Sequence, residues 1–141
     1  MKRFAFLLAA VPFLAGAAPG SNLTIELTGV RGGQGFVHAC LTRAPAFFPD
    51  CQRDPNAVTE TVPAADRQIE FRGVPPGRYA ITLFHDANAN RKLDKFMGVP
   101  REGFAFSRNP VIRFSAPQFD KVSILLAPGF TRVSVRMQYL L

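Results

Sequence analysis

The sequence contains few of the residues that carry most catalytic and metal chemistry. Its 141 residues include two histidines, two cysteines and no tryptophan. It has no Gly-x-Ser-x-Gly nucleophile motif, no Cys-x-x-Cys pair and no glycine-rich phosphate-binding loop. Because the roles of a catalytic site cannot be filled from this set, we expect a protein that is not an enzyme.

A long apolar run occurs only at the N-terminus. Lys2 and Arg3 precede an uncharged apolar run over residues 4–14, and the small residues A-G-A-A follow at positions 15–18. This pattern indicates a signal peptide over residues 1–18. The alternatives are a buried strand or a membrane anchor, but the run is shorter than the ~20 residues that a spanning helix needs. We expect residues 19–141 to be a single β-sandwich domain without a membrane span, periplasmic or secreted.

The chain is basic, and the charge limits its partners. The formal net charge is +7, which becomes +5 when Lys2 and Arg3 are removed with the signal peptide. A modestly basic surface favours an anionic partner, such as a polysaccharide or a lipid headgroup. We expect an envelope protein or polysaccharide as partner. Nucleic acid is not expected, because the exported chain has no recognisable nucleic-acid-binding motif.

The two cysteines indicate a disulfide. Cys40 and Cys51 are eleven residues apart, and a lone pair of cysteines in an oxidising compartment usually forms a bond. By loop-closure entropy this bond contributes about 2–3 kcal/mol to stability.

Apolar and polar residues alternate with period two along most of the chain, as in half-buried β-strands. One strand is predicted around residues 23–27 and a second around 37–41. The glycine-rich turn between them predicts a β-hairpin. Further strands are predicted near residues 68–72, 79–84, 111–114, 122–126 and 133–139, with long irregular connections over 43–66 and 87–110. About seven short strands indicate an all-β fold, an antiparallel β-sandwich with one long ordered loop.

One segment of that loop has the spacing of a cation site. Asp86, Asn88, Asn90 and Asp94 occupy positions 1, 3, 5 and 9 of a loop, as in the first half of an EF-hand, and Ca²⁺ prefers such oxygen ligands. The second half does not match, because Arg91 replaces the turn glycine and Met97 the bidentate glutamate. The alternative is a loop without an ion, in which Asp and Asn side chains form Asx-turns with their own backbone.

The histidines support catalysis only weakly. His85 and Asp86 are adjacent, so on a strand their side chains point to opposite faces and form no dyad. A zinc site of His38, His85 and a carboxylate is conceivable if their strands are neighbours.

Four motifs carry a resemblance that covers essentially the whole mature chain. They are PPGRY at residues 75–79, HDANANRKLD at 85–94, GVPREGFAFS at 98–107 and PQFD at 117–120. Together they resemble domain of unknown function 2141, a family of uncharacterised exported bacterial proteins. The resemblance implies an immunoglobulin-like or transthyretin-like sandwich and no established activity. Members often have glycine where this chain has Ala89 or Arg91.

The loop over residues 85–107 is the predicted functional element, with His85 and Glu102 as supporting residues. Glu102 can pair with a basic residue of the loop (Arg91, Lys92 or Lys95), and Gly98 and Gly103 permit backbone conformations closed to other residues. The leading hypothesis is a non-catalytic binding or interaction module of the periplasm or cell envelope. The alternatives are a metal-dependent hydrolase using Ca²⁺ or Zn²⁺ and a purely structural envelope accessory domain.

Overall fold

The computed structural model describes residues 10, 12, 14, 16 and 19–141, so most of the predicted signal peptide lies outside the described residues. Short 3₁₀ turns occupy Pro45–Phe47, Cys51–Arg53 and Ala64–Asp66. The other elements in the described part are β1 (Ser21–Thr28), β2 (Phe36–Thr42), β3 (Val58–Pro63), β4 (Gln68–Val74), β5 (Gly77–Asp86), β6 (Lys95–Phe96), β7 (Val99–Pro100), β8 (Phe104–Phe106), α1 (Phe119–Val122), β9 (Ile124–Leu126) and β10 (Gly129–Arg136). No helix among them has the length and apolar character needed to cross a membrane.

The strands form two main sheets. One has the order β10-β1-β4, in which β1 is parallel to β10 and antiparallel to β4. The other has the order β3-β2-β5-β8 with β9 also paired to β5, and all its pairs are antiparallel. Strands β6 and β7 form a separate two-stranded hairpin. The predicted all-β class is confirmed.

The main core consists of the inward residues that the alternation predicts. In β1 every second residue from Ser21 to Leu27 is buried, and Ile25, Leu41 and Ile81 are fully inaccessible to solvent. Residues of both sheets contribute to this one cluster, which is consistent with the predicted β-sandwich. The immunoglobulin-like or transthyretin-like type stays a prediction.

The predicted hairpin between the first two strands is wrong. β1 pairs with β10 and β4, whereas β2 pairs with β3 and β5, so the glycine-rich segment between β1 and β2 connects the two sheets. Alternation is the same whether consecutive strands share a sheet or face each other across a core. The period alone therefore could not distinguish the two arrangements.

Three other expectations about strands need correction. The connection over 43–66 contains edge strand β3, whose residues are mostly exposed, and the connection over 87–110 contains the fully buried β8. Residues 111–114 are not a strand, because Val111 and Phe114 are 79% and 100% exposed and pair with no neighbour. In the segment 122–126, only Ile124–Leu126 is a strand, and helix α1 precedes it.

The predicted disulfide is present. Cys40 on β2 is bonded to Cys51 in a 3₁₀ turn, with Cα atoms 6.0 Å apart. The same connection is also held by Asp54, whose buried carboxylate accepts hydrogen bonds from the Thr42 hydroxyl (2.5 Å) and the Asn56 backbone N–H (2.8 Å). The connection is therefore attached to β2 at two points.

Candidate functional site

The base of the loop over residues 85–107 is closed by buried His85. Its backbone N–H donates to the Gly103 carbonyl at 2.8 Å. The imidazole Nε2 donates to the Gln34 carbonyl at 2.8 Å, and Nδ1 lies 2.8 Å from the Tyr139 hydroxyl. Because a carbonyl oxygen only accepts, Nε2 carries a proton and donates it to Gln34. His85 thus connects the loop to the β1–β2 turn and to the C-terminal segment.

Asp86, the next residue, holds the first turn of the loop. Its fully buried carboxylate accepts from the Asn90 backbone N–H at 3.0 Å, the Arg91 backbone N–H at 2.8 Å and His38 Nε2 at 2.9 Å. Burial acts to raise the pKa of Asp86. The bonds from His38 and the two backbone N–H groups stabilise the carboxylate and hold that pKa below its ordinary value. Asp86 is therefore an ionised anchor for the turn.

The other three residues of the predicted cation site lie together. The side-chain amides of Asn88 and Asn90 donate to the Asp94 carboxylate at 2.7 and 3.0 Å. The Asn88 side-chain oxygen accepts from the Asn90 backbone at 3.3 Å, and that of Asn90 accepts from the Lys92 backbone at 3.0 Å. These are Asx-turns, the arrangement expected for a loop that holds itself without an ion.

Asp86 shares a donor with that trio, because Asp86 Oδ1 and Asn88 Oδ1 both accept from the Asn90 backbone N–H, at 3.0 and 3.3 Å. Within residues 19–141, no group of three or more His, Cys, Asp or Glu side chains is placed to hold a metal ion. Ca²⁺ binding by Asp86, Asn88, Asn90 and Asp94 stays a prediction. It would require the asparagine and aspartate oxygens to give up their present hydrogen-bond donors, which are backbone N–H groups, the side-chain amides of Asn88 and Asn90, and His38, in favour of the ion.

The turn contains two residues in the left-handed backbone region. Ala89 has φ 57° and Arg91 has φ 63°, conformations that glycine adopts without steric cost. The turn therefore follows a glycine-type backbone path at two positions that carry other side chains in this chain.

Glu102 supports the loop through the backbone and not through an ion pair. Its largely buried carboxylate accepts from the Ala87 N–H at 3.2 Å and the Asp94 N–H at 3.1 Å. Among the ion pairs of the described residues, none joins Glu102 to the basic residues of the loop. The expected pairing of Glu102 with Arg91, Lys92 or Lys95 is thus replaced by two amide contacts.

Gly98 and Gly103 were both predicted to permit backbone conformations closed to other residues, but only Gly98 adopts one. Gly98 has φ 81°, which favours glycine. Gly103 is required by space instead, because an added Cβ would lie 2.5 Å from the Tyr139 ring. The packing of Tyr139 on the loop base therefore depends on Gly103.

A trio of Thr61, His38 and Asp86 lies on the outer face of the five-stranded sheet. His38 Nε2 is 2.9 Å from the Asp86 carboxylate, and His38 Nδ1 is 2.8 Å from the Thr61 hydroxyl. The His38 ring also packs on Phe84 with ring centroids 4.7 Å apart. Sequence reasoning missed this trio because its members come from three strands, and only the β2–β3 and β2–β5 registers bring them together.

The two histidines do not meet. His38 is opposite Phe84 in the β2–β5 register, whereas His85 is opposite the core residue Val37. Since successive residues of a strand alternate between faces, His38 and His85 lie on opposite faces of the sheet. The structure therefore does not bring together the zinc set of His38, His85 and a carboxylate.

A groove of about 1190 Å³ covers this outer face. Its floor includes the aromatic residues Phe84, Phe104 and Phe106, and Thr82 contributes a buried hydroxyl without a hydrogen-bond partner in the described structure. Its walls are the 89–100 part of the loop, residues 112–116 and the disulfide-bonded connection. The exposed basic residues among the lining are Arg91, Lys92, Lys95 and Arg113.

Comparisons with known proteins give one match. A family model described as an uncharacterized protein conserved in bacteria, domain of unknown function 2141, matches residues 25–134. No curated protein matches the chain, and no solved structure matches it.

Proposed function

The chain belongs to this family of uncharacterised bacterial proteins, and we propose that it is a non-catalytic binding module of the periplasm or cell envelope. The Cys40–Cys51 disulfide supports an oxidising compartment, and the sequence of residues 1–18 supports export. The groove and the 85–107 loop are the proposed binding surface.

The observation that carries this proposal is how the loop distributes its charges. The carboxylates of Asp86 and Glu102 are turned inward, where backbone N–H groups bind them. Exposed basic side chains of the loop remain at the rim of an aromatic groove. The rim is positive on the side of the loop, whereas the exposed acidic residues Asp50 and Glu60 lie elsewhere in the lining. An apolar floor beside this positive side suits an anionic envelope polysaccharide or an acidic protein segment.

Site-specific photocrosslinking in bacterial cells tests this proposal. A photoreactive phenylalanine analogue replaces Phe114, which is 100% exposed on the groove wall. The matched control replaces Phe130, which is 92% exposed on β10 of the other sheet. We expect a discrete adduct from position 114 alone, and digestion by glycosidase or protease identifies its class. Equal adducts at both positions, or none, would contradict the proposal and favour a purely structural domain.

Export is tested separately from binding. We expect the chain in the periplasmic or secreted fraction, with a mass that corresponds to loss of residues 1–18 and to an oxidised Cys40–Cys51 pair. Recovery of the chain with Met1 in the cytoplasm would contradict the proposed compartment.

Hydrolysis is a second candidate because of the Thr61–His38–Asp86 trio. Its order of hydroxyl, imidazole and carboxylate is the one that activates a nucleophile. We favour the non-catalytic role because Asp86 also binds two backbone N–H groups of the turn, which gives the carboxylate a structural purpose. Hydrolysis of acyl esters that disappears in a folded Thr61→Val variant would reverse this preference.

A further inference from the structure

The β6–β7 hairpin exposes apolar side chains at its tip. Phe96 is 58% exposed, Met97 88% and Val99 37%. The hairpin pairs with neither main sheet, so these side chains are not the edge of a larger core in the described structure. Three exposed apolar side chains within four successive positions favour an interaction site at this tip.

Basic residues flank this tip along the chain. Arg91, Lys92, Lys95 and Arg101 are all exposed, and none of them forms an ion pair in the part of the chain that the structure describes. The nearest carboxylates of the loop are occupied, because Asp94 binds asparagine amides and Glu102 binds backbone N–H groups. The hairpin therefore combines an apolar tip with a positive collar.

The hairpin is also held in position. The Arg101 N–H donates to the Asp94 carbonyl at 2.8 Å, and the Asp94 N–H donates to Glu102 at 3.1 Å. These bonds close the base of the hairpin just below its apolar tip. An ordered hairpin loses little conformational freedom on binding, which favours affinity.

We propose that this hairpin docks the exported protein on an anionic lipid surface. Phe96 and Met97 enter the boundary between headgroups and acyl chains, and the collar of Arg91, Lys92, Lys95 and Arg101 contacts lipid phosphates. An anionic bilayer fits this hairpin because its acyl chains accept apolar side chains and its phosphates attract cations. The inference rests on the proposed function, because that proposal places the protein in the periplasm or cell envelope. It adds a lipid partner for the β6–β7 hairpin of the 85–107 loop.

Vesicle co-sedimentation tests the inference with the purified exported chain. The vesicles are phosphatidylglycerol mixed with phosphatidylcholine, or phosphatidylcholine alone. We expect binding to the anionic vesicles only, and weaker binding as salt is raised. We expect at least a tenfold loss of affinity for a Phe96→Ser, Met97→Ser double variant. For Lys92→Gln with Lys95→Gln we expect a loss of roughly 25-fold, at about fivefold for each basic residue near the surface.

Two matched controls lie on the other sheet. Phe130→Ser removes an aromatic side chain that is 92% exposed, and Arg136→Gln removes an exposed charge. We expect both to bind vesicles like the unaltered chain, and near-ultraviolet circular dichroism confirms that all variants are folded.

The membrane inference is overturned by equal binding to neutral vesicles, by no binding, or by losses as large for Phe130→Ser as for the hairpin variant. If the vesicles are not bound but the Phe114 crosslink is still formed, the proposed function stands. The loop then binds a polysaccharide or a protein and not a lipid surface. Failure of both measurements removes both proposals.

Discussion

Replacement of Asp86 by alanine tests whether a buried carboxylate organises the loop. The change removes the acceptor for His38 Nε2 and for the backbone N–H groups of Asn90 and Arg91. A hydrogen bond to a charged group contributes about 1.5–3 kcal/mol, so three independent bonds would together give an upper limit of about 9 kcal/mol.

The expected loss is smaller than that limit, for two reasons. The Asn90 N–H has a second acceptor, the Asn88 side-chain oxygen at 3.3 Å. Residues 87–92 are exposed, so water can replace Asp86 for the freed backbone groups. We therefore expect Asp86→Ala to lower the free energy of unfolding by about 3 kcal/mol.

Urea unfolding at neutral pH, with the disulfide intact, measures this loss. With a slope of about 2 kcal/mol per molar urea, we expect the midpoint to fall by about 1.5 M. Asp94→Ala is the control within the same loop, because Asp94 binds only the exposed asparagine amides through its side chain. We expect it to cost about 1 kcal/mol or less. A loss below about 1 kcal/mol for Asp86→Ala, or equal losses at both positions, would refute the anchoring role.

Three further outcomes follow from the same contacts. Because the folded pKa of Asp86 is depressed, its stabilisation is complete above about pH 4 and is lost as pH falls below that. Between pH 5 and pH 3, urea midpoints should fall more steeply for the unaltered chain than for Asp86→Asn, and parallel curves would contradict this. Reduction of Cys40–Cys51 should cost about 2–3 kcal/mol in urea unfolding, and an unchanged midpoint would contradict the stapling role. Ala89→Gly should stabilise the chain by about 1 kcal/mol, whereas destabilisation would show that φ 57° carries no strain there.

Strands with a buried face could be predicted from the sequence. Ile25, Leu41 and Ile81 lie in alternating patterns, and the structure buries all three completely. Which strands pair could not be predicted, because β1 reaches its parallel partner β10 across almost the whole chain. Such a pairing has no local turn to mark it.

Short or edge strands were missed for a different reason. β3 reads Val-Thr-Glu-Thr-Val-Pro and is mostly exposed, so its composition resembles that of a connection. β8 has only three residues, Phe104–Phe106, and all are buried because the outer face of the sheet has its own apolar cluster. A window of alternating residues cannot detect a strand this short.

The sequence predicted the 85–107 loop as the functional element, and that stays a prediction. A spacing of oxygens cannot show which atoms they bind. Asp86 binds His38 and the turn backbone, and that contact depends on the register of β2 and β5. The groove was beyond sequence reasoning, since its floor and walls come from segments distant along the chain.

Hydrogen–deuterium exchange of the purified chain over residues 19–141, with and without washed envelope membranes of the producing bacterium, tests the central claim most directly. The claim is that the face carrying the 85–107 loop binds an envelope component. We expect slower exchange in residues 85–107 and 112–116 when membranes are present, and no change in β1, β4 or β10. Unchanged exchange throughout, or protection confined to the three-stranded sheet, would contradict the claim.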